Sequence, residues 1–264
     1  RDAADNRVTV SERKPDGSID PARPGNDYRV LQPALVMDPN RNRSAIAFDA
    51  LGLVVGTAMM GKPEENLGDS LAGFVSELTD SAIQNQLTLP LANPHGLLQK
   101  ATTRLVYDVH AFERTQNQAN PQAAVIHTLA RETHDADLAP GAQTRIQLTF
   151  SYTDGFSREI QKKTQAEPGP VPKRDASGKI VAGLDGQPEM TASDVSPRWV
   201  GSGWTVFNNK RKPVRQYEPF FTDTQRFELD MKIGVSPVLF YDPAERVVAT
   251  LHPNHTWEKI VFNP

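Results

Sequence analysis

The sequence predicts a mainly β fold, an antiparallel ribbon of hairpins with one small helical insert. The clearest support is the segment from Arg145 to Tyr152, which alternates polar and apolar residues over eight positions. A strand with one buried and one wet face has this pattern. Other short strand patterns are separated by turn signals, which is typical of antiparallel sheets. They lie at residues 45–48, 53–56, 105–109, 125–132, 238–241, 246–251 and 256–262.

A helical insert is predicted at about residues 63–89, where the apolar period changes. Leu67, Leu71, Phe74 and Leu78 are spaced by four, three and four positions, which predicts one apolar stripe on a helix that begins at Pro63. Thr79-Asp80 is predicted to cap a second short helix that runs to about Gln86. Pro90 and Pro94 are predicted to end the insert.

Two segments are predicted to be irregular. Residues 1–26 form a polar lead-in whose prolines and glycines interrupt any period. Residues 168–197 contain five prolines and four glycines, which predicts a long surface loop or a boundary. Its turn dipeptides are Ser177-Gly178 and Asp185-Gly186. The β-sheet region is therefore predicted to occupy residues 27–264.

The composition excludes several classes of function. Hydrophobic residues make up 38% and charged residues 23% of the 264 positions, which is enough apolar material for a folded core. The 29 basic and 32 acidic residues are dispersed along the chain, which argues against nucleic acid as a partner. The absence of cysteine excludes disulfides, thiolate nucleophiles and cysteine-based zinc sites.

No apolar run approaches the ~20 residues that a membrane helix needs, so we expect no direct membrane insertion. The chain begins at Arg1 and stops at Pro264 after a strand-like run. We therefore expect it to be an excerpt of a longer protein.

One motif recurs along the chain: an aromatic residue, then Asp or Asn, then a turn, and often a basic residue. In a hairpin, the aromatic closes one strand and the Asp or Asn bonds to the backbone two residues on. Four cases are clear and Tyr107-Asp108 is a possible fifth. The four are Phe48-Asp49 with Gly52, Tyr152 with Asp154-Gly155 and Arg158, Phe207-Asn208-Asn209, and Tyr241-Asp242 with Arg246.

This pattern resembles the Rhs/YD-repeat segments of the B component of insecticidal toxin complexes. The most specific match is the string from Lys212 to Phe221, which contains Tyr217-Glu218-Pro219, together with the string that begins at Trp204. The resemblance extends less tightly from about Asp27 to Pro264. It does not cover the first 26 residues.

The resemblance implies a secreted protein in which hairpins spiral into a hollow shell around a toxic polypeptide, delivered through a partner pore. The implied partners are other shell segments, of the same or a partner chain, and the enclosed polypeptide. The family's self-cleavage site and toxin domain belong to the far end of the shell, beyond the matching region. We therefore expect a structural, non-catalytic chain with no cofactor and no metal.

The chain departs from the repeat at three turns, where the usual glycine is replaced by Ser157, Arg211 or Glu245. If these positions need a positive φ, each substitution costs roughly 1 kcal/mol. The affected turns are then looser or of another type.

Catalytic and metal-binding readings are weaker than structural ones. Zinc needs three or four ligands on rigid elements, and His127, His134, His252 and His255 show no such spacing. The acidic pairs Glu64-Glu65 and Asp135 with Asp137 fit solvated positions better than a general acid and base. Ser202 lies in a turn without a nucleophile or phosphate-loop motif. The basic run at residues 210–212 fits a solvated turn.

A second functional class stays open: a carbohydrate-binding or adhesion module of a secreted YD-repeat surface protein. Exposed aromatic residues in a groove would favour it, and Trp204 and Trp257 are the candidates. An enzyme would instead need a pocket in which ionisable groups converge.

Overall fold

The computed structural model describes Ser18 and residues 25–156, 158–176, 178–184 and 187–262. Most of the predicted lead-in therefore lies outside the described residues, as do Ser157, Ser177, Asp185 and Gly186. The chain forms two compact units. Unit 1 contains the residues up to Tyr107 together with Ile126–Leu148, and unit 2 contains Asp108–Val125 together with the residues from Thr149 onward.

Unit 1 is built on an antiparallel sheet, as the alternating segments predict. β1 (Asn26–Asp27) and β2 (Gln32–Pro33) form a separate two-stranded sheet, and the larger sheet begins with β3 (Leu35–Met37), β4 (Arg43–Phe48) and β5 (Val54–Met60). They are followed by β6 (Thr103–Asp108) and β7 (Ala124–Arg131), and the sheet order is β7-β6-β5-β4-β3. The end of β6 and the start of β7 already belong to unit 2.

The helical part of unit 1 is smaller than predicted. Helix α1 (Asp80–Thr88) begins where the cap was predicted, and Thr79 Oγ1 accepts a hydrogen bond from the Ala82 amide at 3.3 Å. A short α2 (Pro94–Leu98) follows, with Pro94 in its first turn rather than ending a helix.

The predicted first helix is wrong: residues 63–79 contain no helix. Of the four spaced apolar residues, Phe74 lies beside Gly56 of the sheet, whereas Leu67 is exposed. We call residues 61–79 strap 1.

Unit 2 contains four further antiparallel strands, which neighbour one another in the order β8-β9-β10-β13. These are β8 (Ile146–Thr153), β9 (Glu159–Ala166), β10 (Arg198–Gly201) and β13 (Phe220–Thr222). The division between the units falls within β8. A short helix α3 (Ala111–Thr115) also belongs to this unit, and a single 3₁₀ turn (Asp135–Asp137) belongs to unit 1.

Two small sheets complete unit 2. β11 (Thr205–Phe207) pairs with β12 (Pro213–Gln216), and β14 (Val238–Tyr241), β15 (Val247–Leu251) and β16 (Trp257–Lys259) form a three-stranded sheet. The last predicted strand, at residues 256–262, is thus shorter than its pattern suggests.

The proline-rich segment at residues 168–197 folds back on itself instead of forming an open loop. Among its described residues, four isolated antiparallel bridges join one part of the segment to another, because prolines lack the amide needed for a continuous ladder. The bridges join Gly169 to Val195, Pro172 to Met190, Arg174 to Ile180 and Ala182 to Pro188.

The core of unit 2 is aromatic and lies on one face of its sheet. Trp199 is fully buried and meets the ring of Phe150 edge-on, with 5.4 Å between centroids. Tyr152 packs on Phe227 at 5.5 Å. The structure therefore confirms a mainly β fold with a small helical insert. None of the helices in its described residues is long and apolar enough to cross a membrane.

Candidate functional site

The turn at Asp49 shows how the recurring motif works. Phe48 ends β4 with its side chain buried. Asp49 Oδ1 then accepts hydrogen bonds from the amides of Leu51 and Leu53, at 3.0 and 2.8 Å. The backbone of Asp49 pairs with that of Leu53 at 3.0 Å. One side chain thus satisfies backbone amides that the hairpin ladder leaves without partners.

The same arrangement occurs at Asp154, Asn208 and Asp242. In each turn, an Oδ1 atom accepts the amide four residues on, at 3.1, 2.9 and 2.9 Å respectively. The basic residue of the motif stabilises the turn as well. Arg158 Nε donates a hydrogen bond to Asp154 at 2.6 Å, and Arg246 Nε donates one to Asp242 at 2.8 Å. Hydrogen bonds from Arg246 lower the pKa of Asp242. Gly155 and Asn209 occupy exposed central positions of these turns.

The fourth position of the turn lies in the left-handed region. Its φ is +81° at Gly52, +65° at Arg211 and +66° at Glu245. Glycine adopts this conformation without steric cost, whereas other residues are strained in it. The turns with Arg211 and Glu245 therefore keep the same geometry under strain. Ser157 lies outside the described residues.

Sequence reasoning missed two further copies of this turn. Asp38 accepts the Asn42 amide at 2.8 Å, and Asp175 accepts the Lys179 amide at 3.0 Å. Their fourth positions, Arg41 and Gly178, have φ of +71° and +81°. The spacing Asp-x-x-Gly would have identified Asp175. Asp38 lacks both the aromatic and the glycine, so only its geometry reveals it.

The possible fifth motif is not a hairpin turn. Tyr107 and Asp108 end β6, but the chain continues into α3. The Asp108 carboxylate is buried and accepts a hydrogen bond from Arg114 of that helix, and Tyr107 Oη donates to the Val54 carbonyl at 2.8 Å. This aromatic–acid pair therefore lies where a strand leads into a helix and does not form a hairpin turn.

The string from Lys212 to Phe221, which is most specific to the resemblance, contains β12, the strand that pairs with β11. The Tyr217 amide donates to the Trp204 carbonyl at 3.0 Å, and the Glu218 amide donates to the Ile233 carbonyl at 3.2 Å. A Cβ on Gly203 would lie 1.9 Å from the Tyr217 carbonyl oxygen, so only glycine fits there. Trp204 is half-buried against Phe227, and Pro219 is exposed.

A buried lysine organises unit 2. Lys163 in β9 pairs with Gly201 in β10, and the ring of Phe220 lies where a Gly201 side chain would be. The fully buried Lys163 ammonium donates to the Thr224 carbonyl at 2.8 Å, to the Arg226 carbonyl at 2.5 Å and to Glu228 Oε2 at 2.5 Å. Its three protons therefore all have acceptors.

These acceptors lie in an irregular segment, residues 223–235, that we call strap 2. Two glutamine side chains hold it by pairing with its backbone in place of strand partners. Gln161 accepts the Glu228 amide at 3.0 Å and donates to the Glu228 carbonyl at 3.1 Å. Gln122 does the same for Phe227, at 3.0 and 3.4 Å. Tyr152 Oη donates to the Gln225 carbonyl at 2.5 Å.

Burial sets the protonation behaviour of two of these groups. Desolvation lowers the pKa of Lys163 to about 8, although the neighbouring Glu228 carboxylate acts in the opposite direction. Desolvation raises the pKa of the Tyr152 hydroxyl far above its usual range. At neutral pH both groups keep the proton that their hydrogen bonds require.

Unit 1 repeats the combination of glycine, phenylalanine and buried cation. Arg104 in β6 pairs with Gly56 in β5, and the Phe74 ring of strap 1 fills the space beside Gly56. The Arg104 guanidinium lies over that ring, 4.4 Å from its centroid, and donates to the Val75 carbonyl at 2.7 Å. Sequence reasoning found neither cation, because a lone Lys or Arg in a strand looks like a solvent-facing residue.

The acidic candidates take part in ion pairs. Arg41 contacts Glu64 at 2.5 Å and Lys62 contacts Glu65 at 3.0 Å, and these hydrogen bonds lower the pKa of both acids. A general acid requires the opposite shift.

The candidate around Asp135 belongs to a buried network. Asp69 accepts from His134 Nδ1 and from the Asp135 amide, each at 2.8 Å, and lies 3.3 Å from Arg131. This network ties strap 1 to the loop after β7. Asp137 lies in the 3₁₀ turn that follows.

The other histidines are dispersed. His127 is buried beside Gln86, with 3.1 Å between their Nε2 atoms, and His252 contacts Glu258 at 3.2 Å. His255 occupies a left-handed turn position. In the described part of the chain, no three His, Asp or Glu side chains are grouped to hold a metal.

Ser202 and the basic run also have structural contacts. Ser202 Oγ accepts the Lys162 amide at 2.8 Å, which continues the pairing of β9 beyond its partner strand. Lys210 donates to the Pro243 carbonyl at 3.2 Å, Lys212 contacts Glu245 at 2.9 Å, and Arg211 stacks on Phe156. The run therefore links neighbouring turns.

A cleft of about 1100 Å³ opens beside strap 2. Its walls come from residues 118–122, 178–180, 182, 187–188 and most of strap 2. Arg174 and Glu228 line it and are hydrogen-bonded to each other. The cleft is thus lined by the strap's own supports.

Comparisons with known proteins point to one fold. No protein-family model and no curated protein matches the chain. Solved structures do match: in the crystal structure of TcdB2-TccC3, the TM-score is 0.63 at 21% identity over 90% of this chain. In the crystal structure of TcdB2-TccC3-TEV the values are 0.66, 19% and 89%, and in the Tc holotoxin pore of Photorhabdus luminescens they are 0.63, 19% and 90%. The chain spans only 11–13% of these chains.

Replacing Arg211 by glycine tests the strained turn. We expect Arg211→Gly to be more stable than Arg211→Ala by about 1 kcal/mol, because both lose the stacking on Phe156 but only glycine relieves the positive φ. Urea unfolding measures the difference. The converse variant, Gly52→Ala, should lose about 1 kcal/mol, and equal stabilities of the two Arg211 variants would contradict the assignment.

The pH dependence of stability tests the buried lysine. Between pH 8 and the ordinary lysine value of 10.5, the unfolded chain binds a proton that folded Lys163 has released. The free energy of unfolding therefore rises with pH across this window, by up to about 3 kcal/mol relative to Lys163→Met. Below pH 8 the cost of the buried charge is present in full.

The control for this measurement is Lys162→Met, which removes the exposed lysine next to it in β9. Its pH profile should follow that of the unmodified protein. Parallel profiles for the unmodified protein and Lys163→Met would refute the assignment.

Proposed function

We propose that this chain is a wall segment of a hollow, secreted β shell of the Rhs/YD-repeat type, and that it is not an enzyme. One observation supports this most strongly: 90% of the chain matches a TcdB2-TccC3 chain of which it covers only 11%. A segment that corresponds to so small a share of a longer chain fits one part of a larger wall. Its partners are neighbouring wall segments and an enclosed toxic polypeptide.

The described contacts are consistent with a wall. Hairpin turns recur and link to their neighbours, as Lys210 and Lys212 do with the turn at Asp242. Straps 1 and 2 cover sheet faces with irregular backbone held by buried cations. Ionisable groups are used to bind backbone and to pair with each other, which is a structural use of charge.

Protease protection of the enclosed polypeptide tests the proposal. The full-length protein that contains this chain is purified with its cargo and treated with a protease, and the cargo should survive while the shell is intact. The double variant Asp154→Ala, Asp242→Ala opens two hairpin turns and should expose the cargo. Asp80→Ala, an exposed helix residue, is the matched control and should leave protection unchanged.

If the cargo inside the unmodified protein were digested as fast as the free cargo, that result would contradict the proposal. So would an electron cryomicroscopy map in which this segment surrounds no interior space.

A carbohydrate-binding or adhesion role is the second candidate, and it rests on one aromatic pair. Trp257 is 57% exposed and packs at a tilt against Phe240, with 5.3 Å between the ring centroids. Such a surface can stack on a sugar ring. Selective glycan binding that is lost in Trp257→Ala and kept in Trp204→Ala would favour this role over the wall.

A further inference from the structure

The two halves of strap 2 differ in how their backbone is hydrogen-bonded. The first half, residues 224–228, is held by the side chains of Lys163, Gln161 and Gln122. In the second half, residues 229–235, no backbone amide donates a hydrogen bond within the described part of the chain. All residues of the second half line the cleft beside strap 2. Their amides are therefore available to a partner that enters the cleft.

Lys232 has a free backbone donor and a free backbone acceptor. The carbonyls of its neighbours Met231 and Ile233 accept the amides of Trp204 and Glu218, at 3.4 and 3.2 Å. Alternate residues of an extended run direct their amides and carbonyls to the same side, so those of Lys232 point to the other side. Neither group has a hydrogen-bond partner among the described residues. An extended peptide pairs with a strand edge through two such groups.

Apolar side chains flank this open edge. Leu229 is 65% and Val235 is 55% exposed, and the half-buried Ile180 belongs to the cleft wall. Asp230 and Gly234 have φ of +57° and +71°, so the chain turns at both positions and the open edge is confined to the run between them. An open strand edge with apolar side chains beside it is typical of a groove that binds an extended peptide.

The charge of the cleft favours an occupant without net charge. Basic and acidic side chains line it in equal numbers. Arg174 is hydrogen-bonded to Glu228, and Lys232 contacts Asp230 at 2.7 Å. A polyanion or a polycation would meet like charges in this cleft, whereas a peptide with uncharged side chains would not. The volume of about 1100 Å³ is large enough for such a segment.

We propose that the cleft beside strap 2 binds an extended, uncharged segment of the enclosed polypeptide. The segment pairs with the backbone of Lys232 and packs on Leu229 and Val235. This inference rests on the proposed function, which supplies the enclosed polypeptide as the partner. Because main-chain hydrogen bonds carry the contact, it depends little on the side chains of the segment. The wall thereby holds its cargo at a defined place.

Hydrogen exchange at single residues tests this pairing. The full-length protein is expressed with the enclosed polypeptide and, in a second form, without it. The Lys232 amide should exchange slower by about tenfold or more when the polypeptide is present. The Phe227 and Glu228 amides are the internal control, because their glutamine partners belong to the chain itself. They should exchange at the same rate in both forms.

Ala182→Trp tests whether the contact lies in the cleft. Ala182 is exposed and lines the cleft, so the indole ring takes space that the peptide needs. The slower exchange at Lys232 should be lost in this variant. Ala244→Trp is the matched control, because Ala244 is exposed in the turn at Asp242 and does not line the cleft. This variant should keep the difference between the two forms.

Equal exchange at Lys232 in the two forms of the unmodified protein would overturn the inference, even if Ala182→Trp fails to fold. Slow exchange in both forms would also overturn it, because a neighbouring wall segment would then fill the cleft. The proposed function fails separately, when the protease digests the cargo. Cargo that survives the protease while exchange at Lys232 stays unchanged contradicts this inference alone.

Discussion

The structure depends on satisfying the backbone of irregular segments that cover its sheets. Straps 1 and 2 pair with neighbouring backbone at only a few positions, such as Gly68 with Met60 and Ile233 with Glu218. Elsewhere a buried amide or carbonyl without a partner would be costly. Side chains supply the partners instead. Lys163 and Arg104 donate to carbonyls, while Gln161 and Gln122 imitate a neighbouring strand by donating and accepting at one residue.

Each cation needs a glycine opposite it in the sheet. Gly56 and Gly201 leave space on the sheet face, and the rings of Phe74 and Phe220 fill it. The ring then forms an apolar wall for the cation beside it. Both units therefore contain the same arrangement of a strand glycine, a phenylalanine ring and a buried cation. Each unit thereby gains a covered sheet face without a second layer of strands.

Local patterns could be predicted from the sequence. Strand β8 follows from strict alternation, and the hairpin turns follow from an Asp or Asn that bonds within four residues of itself. The α1 cap at Thr79 is local as well. In each case, the interaction that fixes the structure lies within a few positions of the residue that signals it.

Long-range contacts could not be predicted in this way. The apolar spacing of residues 67–78 resembles a helix, but Phe74 is fixed by Gly56 and Val75 by Arg104, which are far away in the sequence. The buried position of Lys163 could not be predicted for the same reason, because its acceptors lie about sixty residues further on. The resemblance of the strings around Trp204 and Tyr217 indicated the fold that the solved structures share.

Hydrogen exchange at the amides of strap 2 tests most directly whether side chains replace strand partners there. The Phe227 and Glu228 amides lie outside every strand, so without Gln122 and Gln161 they should exchange as fast as other loop amides. We predict slow exchange at both in the unmodified protein and fast exchange at Glu228 alone in Gln161→Ala, with the β8 and β9 amides still protected. Fast exchange at Glu228 in the unmodified protein, or no change in the variant, would contradict the account.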